Sequence, residues 1–179
     1  GGTAKGTTWE GGHRTVGIAH WKGTVGAAQV SDALVSSVDF VPTLVSLSGG
    51  TLPADREYDG VDLTKVLRGE ATDAHHTLFH PHSDASGAKR TAGVPAMRLG
   101  RYKAHFQTMG SVPCREANGT HRDDGGKTFQ HDPPLIFDLD TDPAEANPID
   151  PTTIPDIVTQ IQHEYDAFWV NVNSTKQSK

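Results

Sequence analysis

The sequence is poor in cysteine, with Cys114 alone among 179 residues. One thiol excludes a self-contained disulfide scaffold and a zinc site built from thiolates. Long apolar runs are also missing. None approaches the ~18–20 residues that a bilayer-crossing helix requires, so no transmembrane segment is expected. Positive charge is in the minority, with 16 Lys and Arg against 22 Asp and Glu and a net charge of -6. That balance excludes a nucleic-acid binder working through bulk positive charge. The chain has neither a Gly-x-Ser-x-Gly elbow nor a Gly-x-x-x-x-Gly-Lys-Ser/Thr phosphate loop, and so no evident nucleophile of its own. It opens Gly1-Gly2-Thr3-Ala4-Lys5, without an initiator Met or the basic and apolar regions of a secretory leader. The expectation is a C-terminal portion of a larger protein.

What is present is ordinary in bulk. Counted with glycine, apolar residues make up about 44%, just under the ~45–50% of globular chains, which argues against disorder throughout. Glycine, at 19 residues, is well above average and points to many turns. Cys114 reads either as a free buried thiol or as one half of a bridge to polypeptide outside this sequence. Two sequons, Asn118-Gly119-Thr120 and Asn173-Ser174-Thr175, lie in polar sequence and mark Asn118 and Asn173 as candidate glycosylation sites. They lean toward a secreted, extracellular or lysosomal location.

Along the chain, Thr15 to Trp21 is a short apolar run suited to a buried strand. A helix is predicted over Phe40–Leu47, capped by Ser37 or Asp39, with Pro42 in its first turn and Gly49 as its stop. Its buried face is expected from Phe40, Val41, Leu44, Val45 and Leu47. Asp62 suits the cap of a second, short helix over Leu63–Leu67. Thr77–His80, Pro95–Leu99, Tyr102–Thr108 and Leu135–Leu139 read as four strands, the middle two joined at hairpin spacing by Gly100-Arg101. Gly110 to Pro134 reads as a long polar loop. Thr153-Ile154-Pro155-Asp156 resembles a capping box. Ile154, Ile157, Val158, Ile161, Tyr165, Phe168, Trp169 and Val172 then recur at the spacing of one helix face. The second half is therefore expected to be a small antiparallel sheet covered by one long helix.

Few residues carry obvious chemistry. His75, His76, His80 and His82 cluster, and imidazole suits zinc, copper and nickel. A strand scatters such closely spaced rings over both faces, however, and no Cys or acidic residue sits at ligand spacing. Asp138-Leu139-Asp140-Thr141-Asp142 imitates the start of a calcium loop, but Pro143 and Ile149 occupy the positions that need Gly and Glu. An acidic turn after a strand fits better, and no metal site is expected on this chain. The remaining candidate is Lys5-Gly6-Thr7-Thr8-Trp9-Glu10-Gly11-Gly12-His13-Arg14. Its glycines bracket a cation, two hydroxyls, a carboxylate and a second cation. Such a segment either aims an ammonium at an anionic group, with Glu10 and Arg14 paired to hold its shape, or is an ordinary solvated loop.

The same segment resembles the part of the sulfatases that carries the active-site lysine. The resemblance continues in register through Val35-Ser-Ser-Val-Asp-Phe-Val-Pro-Thr-Leu44, Asp59-Gly-Val-Asp-Leu63, Arg98-Leu-Gly-Arg-Tyr-Lys-Ala-His-Phe106 and the Pro134 to Glu145 segment. It is strongest to the arylsulfatase A and N-acetylgalactosamine-6-sulfatase branch and covers essentially the whole chain. It implies an α/β fold, the C-terminal part of an alkaline-phosphatase-like sulfatase. Residues 1–70 would close the large α/β domain, and 71–179 would form a C-terminal α+β subdomain with a four-stranded antiparallel sheet packed on the long helix.

The implied activity is hydrolysis of sulfate esters by the full-length protein. A formylglycine would act as nucleophile and calcium would polarise the sulfate, with both sites expected upstream of residue 1. Of the catalytic set only Lys5 carries over, binding the sulfate and stabilising charge, with Thr7, Glu10 and Arg14 supporting its loop. The chain alone is expected to be inactive. Its partners would be the missing N-terminal part of the same protein and a sulfate-ester substrate, and a homo-oligomer is left open. The arylsulfatase A branch has a cysteine two residues before this lysine that bridges back to the loop after the hairpin. Here that position is Thr3 while Cys114 remains, so the bridge does not carry over. Two alternatives stay open: a catalytically silent structural or extracellular-matrix protein derived from a sulfatase, and a phosphatase or phosphonate hydrolase of the same superfamily.

Overall fold

The computed structural model of the protein describes residues 7–82, 93–109 and 128–174. In chain order its helices are α1 (Glu10–His13), α2 (Phe40–Leu47), α3 (Thr64–Leu67) and α4 (Pro155–Ser174). Its strands are β1 (Thr77–His82), β2 (Gly93–Leu99), β3 (Tyr102–Met109) and β4 (Thr128–Asp138). Packing divides the chain into two compact units, one of Gly1–Thr15 with Thr77–Lys179, the other of Val16–His76. Residues 7–15 thus group with the sheet.

In the first unit the four strands form one antiparallel sheet in the order β1-β2-β3-β4. Gly100 turns the central hairpin with a φ of +53°, a conformation open to glycine at little cost. Successive side chains on a strand alternate between faces, and the register turns that alternation into two layers. Met97 pairs with Ala104, and Ala104 pairs with Ile136. These residues, with Leu99 and Ile161, form the apolar core on the face that α4 covers. Ile154, Ile157, Val158 and Tyr165 pack against it as the helical spacing predicts. Phe106 stacks on Tyr165 at 3.8 Å, and Phe79 meets Phe168 at 4.2 Å.

The start of α4 differs from the expected capping box. A 3-10 turn, Pro151–Thr153, precedes it, and the Asp150 carboxylate accepts from the Thr152 amide. The Thr153 hydroxyl donates to the carbonyl of Asp150, and α4 begins at Pro155, so Ile154 and not Thr153 stands directly before the helix. β4 is longer than expected and takes up Thr128–Pro134 from the predicted loop. Of these, Gln130, Phe129 and Thr128 pair with Gln107, Thr108 and Met109 after a slip in register past His105. Pro133 and Pro134 are tolerated because they fall in that slip, between the paired stretches Thr128–Gln130 and Leu135–Asp138.

The second unit is held by Asp39. Its carboxylate accepts from the amides of Ser36 and Val61 and lies 2.7 Å from His75 Nε2. Helix α2 has the predicted bounds, ends at Gly49 with a φ of +75°, and starts from a 3-10 turn, Ser37–Asp39, capped by Ser36. Asp62 accepts from the Thr64 amide at the start of α3, as expected. Gly60 is required by a close approach, since a Cβ there would lie 2.1 Å from the Val38 carbonyl oxygen.

Two expectations fail in this unit. The α2 residues that bury are Pro42 and Thr43, while Phe40 and Leu44 remain 63% and 65% exposed. Thr43 turns inward because its hydroxyl donates to the Asp39 carbonyl and accepts from the Leu63 amide. Thr15–Trp21 forms no strand, and Val16 and Ile18 are 83% and 91% exposed. A strand needs a neighbour for its backbone bonds, and the described residues of this unit offer none.

Candidate functional site

The face of the sheet opposite α4 is polar. Pairing of Arg98 with Lys103, Ala96 with His105 and His80 with Ala96 sets Arg98, Lys103, His105 and His80 on this side, with Phe137 beside Lys103. Lys103 and His105 are wholly buried, and His80 nearly so. What they meet is the segment Thr7–Arg14, which contributes the buried Thr7, Thr8 and Glu10.

Burying an ion is costly unless it is paired and its hydrogen bonds are met. Lys103 Nζ donates to Glu10 Oε1 at 2.8 Å and lies 3.4 Å from Glu145 Oε1. Glu145 Oε1 also lies 2.7 Å from His105 Nε2, and its Oε2 accepts from the Glu10 amide at 2.6 Å. Arg98 stands 4.0 Å from Glu10 Oε2. Two carboxylates therefore face two cations. Burial alone would push the Glu145 carboxyl up, but the His105 hydrogen bond, the Lys103 charge and the Glu10 amide together hold it below the usual range. It is therefore a carboxylate, so His105 Nε2 carries the proton between them. His105 Nδ1 is left facing the Thr8 hydroxyl at 3.4 Å. Burial keeps His105 below its ordinary pKa, against the pull of Glu145. The imidazole is accordingly neutral at pH 7.

Aromatic contacts close the cluster. Trp9 lies over His105 at 4.3 Å and meets Phe137 edge-on at 5.8 Å, while His13 lies 4.6 Å from His80. His80 Nε2 is buried without a hydrogen-bond partner among the described residues. Burial, then the charge of Lys103, lowers the His80 pKa to about 3.

Glu145 is presented by the acidic turn after β4. Asp138 accepts from the Asp140 amide through its side chain and from the Asp142 amide through its carbonyl, and Arg101 pairs with its carboxylate. Asp142 in turn accepts from the Asn147 amide. Glu145 itself adopts a φ of +53°, a left-handed conformation costing roughly 1–2 kcal/mol outside glycine. Its buried hydrogen bonds offset that cost.

Of the residues singled out in sequence, Thr7 and Glu10 are buried in this cluster. Arg14 is exposed, and Glu10 pairs with Lys103 instead of with it. Arg14 leaves α1 in extended conformation with its amide bonded to the Glu10 carbonyl, and the dehydrated ammonium of Lys103 claims the carboxylate. Lys5, Cys114 and Asn118 lie outside the described residues, and Asn173 falls within α4. His75 joins Asp39 in the second unit, and His80 joins the buried cluster. Among the described residues no group of three or more His, Cys, Asp or Glu side chains is arranged to hold a metal ion. No described helix is long and apolar enough to cross a membrane. Lys103 and His105 were missed as functional residues. Their signal is the alternation of Lys103 and His105 with Tyr102, Ala104 and Phe106, a polar face on a strand too buried to be a solvated one.

Residues 73–179 match the family described as the C-terminal region of aryl-sulfatase. Arylsulfatase G of Canis lupus familiaris is 45% identical over 150 residues, covering 84% of this chain and 26% of that protein. Arylsulfatase A of Bos taurus is 42% identical over 141 residues, covering 79% of this chain and 27% of that protein. Among solved structures, the PsFucS1 sulfatase from Pseudoalteromonas sp. is similar with a TM-score of 0.75 at 28% identity, over 98% of this chain and 33% of its own. The chain spans about a quarter of the length of the curated relatives it matches.

Proposed function

The chain belongs to the sulfatases as their C-terminal region, and we propose that within a whole arylsulfatase-like hydrolase of sulfate esters it supplies the lysine that meets the sulfate. Lys5 is assigned that role. A compact ammonium beside a sulfate oxygen stabilises charge that grows in the transition state, the kind of preorganised contact whose loss costs ~10²–10³ in rate. The buried Glu10–Lys103 pair supports the assignment. It ties the segment that follows Lys5 to a rigid sheet, as a group with a fixed target requires.

The rest of the machinery is assigned to polypeptide outside this sequence. Formylglycine and calcium, which would supply the nucleophile and polarise the sulfate, are not placed on the residues described here, where no metal-ligand cluster exists. The exposed Phe40, Leu44, Val16 and Ile18 favour the N-terminal part of the same protein as partner, because so much apolar surface on one small unit fits an internal contact. The chain alone is accordingly inactive. Glycosylation at Asn118 or Asn173 and a secreted or lysosomal location belong to the same proposal.

The test is turnover of an aryl sulfate, beside the matching phosphate ester, by the intact protein and its Lys5→Ala variant. A ~10²–10³-fold loss of sulfate hydrolysis in a folded variant is expected. Near-normal turnover in the variant overturns the role of Lys5. Preference for the phosphate ester overturns the sulfatase activity.

A further inference from the structure

Glu145 contacts three members of the buried cluster: the Glu10 backbone, His105 and Lys103. Its Oε2 accepts the Glu10 amide at 2.6 Å, and its Oε1 faces both His105 at 2.7 Å and Lys103 at 3.4 Å. Glu10 and Glu145 are separated by 135 positions in sequence. Glu10 contacts the Lys103 ammonium at 2.8 Å, closer than Glu145 does at 3.4 Å. What Glu145 adds is the bond to the Glu10 backbone. A backbone contact fixes where the segment runs, whereas a contact to a long side chain leaves the main chain free to shift beneath it. The left-handed conformation at Glu145 points the same way, since a glutamate is kept there only where its surroundings hold it.

We infer that Glu145 is a positioning residue, setting the path of the Thr7–Arg14 segment through the Glu10 amide, and that the contribution of Lys5 to turnover depends on that path. This rests on the reading of Lys5 as the sulfate-contacting group. Glu145 touches no substrate, and its effect on turnover runs through Lys5. Thr8 and Trp9 give the same segment two further footholds on His105, at 3.4 Å and 4.3 Å. Removing Glu145 therefore shifts the segment without releasing it. An interaction that places a transition-state contact acts on kcat more than on KM.

The experiment is a double-mutant cycle in the intact protein, with Lys5→Ala, Glu145→Gln and the pair assayed on an aryl sulfate. Amide hydrogen exchange is followed over residues 7–14 and over β2 and β3. Glu145→Gln is expected to lower kcat by about tenfold or more with KM within about twofold, and to speed exchange in 7–14 while the strands stay protected. In the Lys5→Ala background it is expected to change kcat by less than about twofold, because its route to the reaction is already gone. Glu145→Asp keeps the charge beside Lys103 but shortens the reach to the Glu10 amide. It should fold even if Glu145→Gln does not, and should show the same local exchange with a smaller loss of kcat.

Effects of Lys5→Ala and Glu145→Gln that multiply would overturn the inference and leave the role of Lys5 intact. So would faster exchange spread evenly over the sheet, or full kcat in both Glu145 variants. Normal kcat in Lys5→Ala alone would instead remove the reading beneath it.

Discussion

Lys103 and Glu10, separated by 93 positions in sequence, meet at 2.8 Å with the ammonium wholly shielded from solvent. Breaking such a pair from one side leaves a dehydrated charge behind. Lys103→Met, which keeps most of the volume, strands Glu10 and Glu145 together. It is expected to cost roughly 3–5 kcal/mol, read as a shift in the urea midpoint of the intact protein. A loss below 1 kcal/mol would mean that water reaches the carboxylates.

Acid sensitivity follows from His80. Its pKa falls from 6.5 to about 3, through burial first and then the charges of Lys103, His13, His105 and Arg98. Between those two values the unfolded chain binds a proton that the folded chain refuses. This contribution is complete above pH 6.5 and drains as pH falls toward 3, at up to ~1.4 kcal/mol per pH unit. His80→Phe removes it, so the melting temperature of the variant should fall less than that of the parent between pH 6.5 and 4. Equal slopes in thermal scans across that range would refute the assignment.

At Gly60 the prediction is steric. A methyl group there meets the Val38 carbonyl oxygen at 2.1 Å, and backbone cannot swing aside as a side-chain tip can. Gly60→Ala is expected to destabilise by at least ~1–3 kcal/mol. Asp39→Ala tests the same junction from its other side by depriving the Ser36 and Val61 amides of their acceptor. It should cost about 2–4 kcal/mol. Calorimetry of each variant checks both values.

The apolar layer offers a simpler contrast on a single helix. Ile161→Ala opens a cavity in the core beneath α4 and should cost ~2–5 kcal/mol. Val172→Ala, at a half-exposed position of the same helix, should cost well under 1 kcal/mol. Comparable losses for the two would show that the helix is held by something other than the core described.

Much of this was legible in the sequence, and the exceptions share a cause. Helix α4 announces its face because Ile157, Val158, Ile161 and Tyr165 recur at a period that one helix and one sheet suffice to satisfy. Helix α2 shows its bounds, through Pro42 and Gly49, but not its orientation. The inward turn of Thr43 depends on Leu63, twenty positions away. The strand expected over Thr15–Trp21 has the right composition but no neighbour in its own unit to pair with. The buried cluster is the extreme case. Lys103 and His105 look like solvent-facing residues of a hairpin until Thr8, Glu10 and Glu145 arrive from distant parts of the chain to enclose them. The alternation along β3 marks a polar face, but it does not say which distant residues that face will meet.

The carboxylate of Glu10 emerges from the ribosome long before its counter-charge, and Glu145 follows later still. Until then, the Thr7–Arg14 segment lacks the strand face and the carboxylate that it packs against. A premature stop before Glu145 would remove the acceptor of the Glu10 amide, so a lesion late in the sequence is felt at a segment 135 positions earlier.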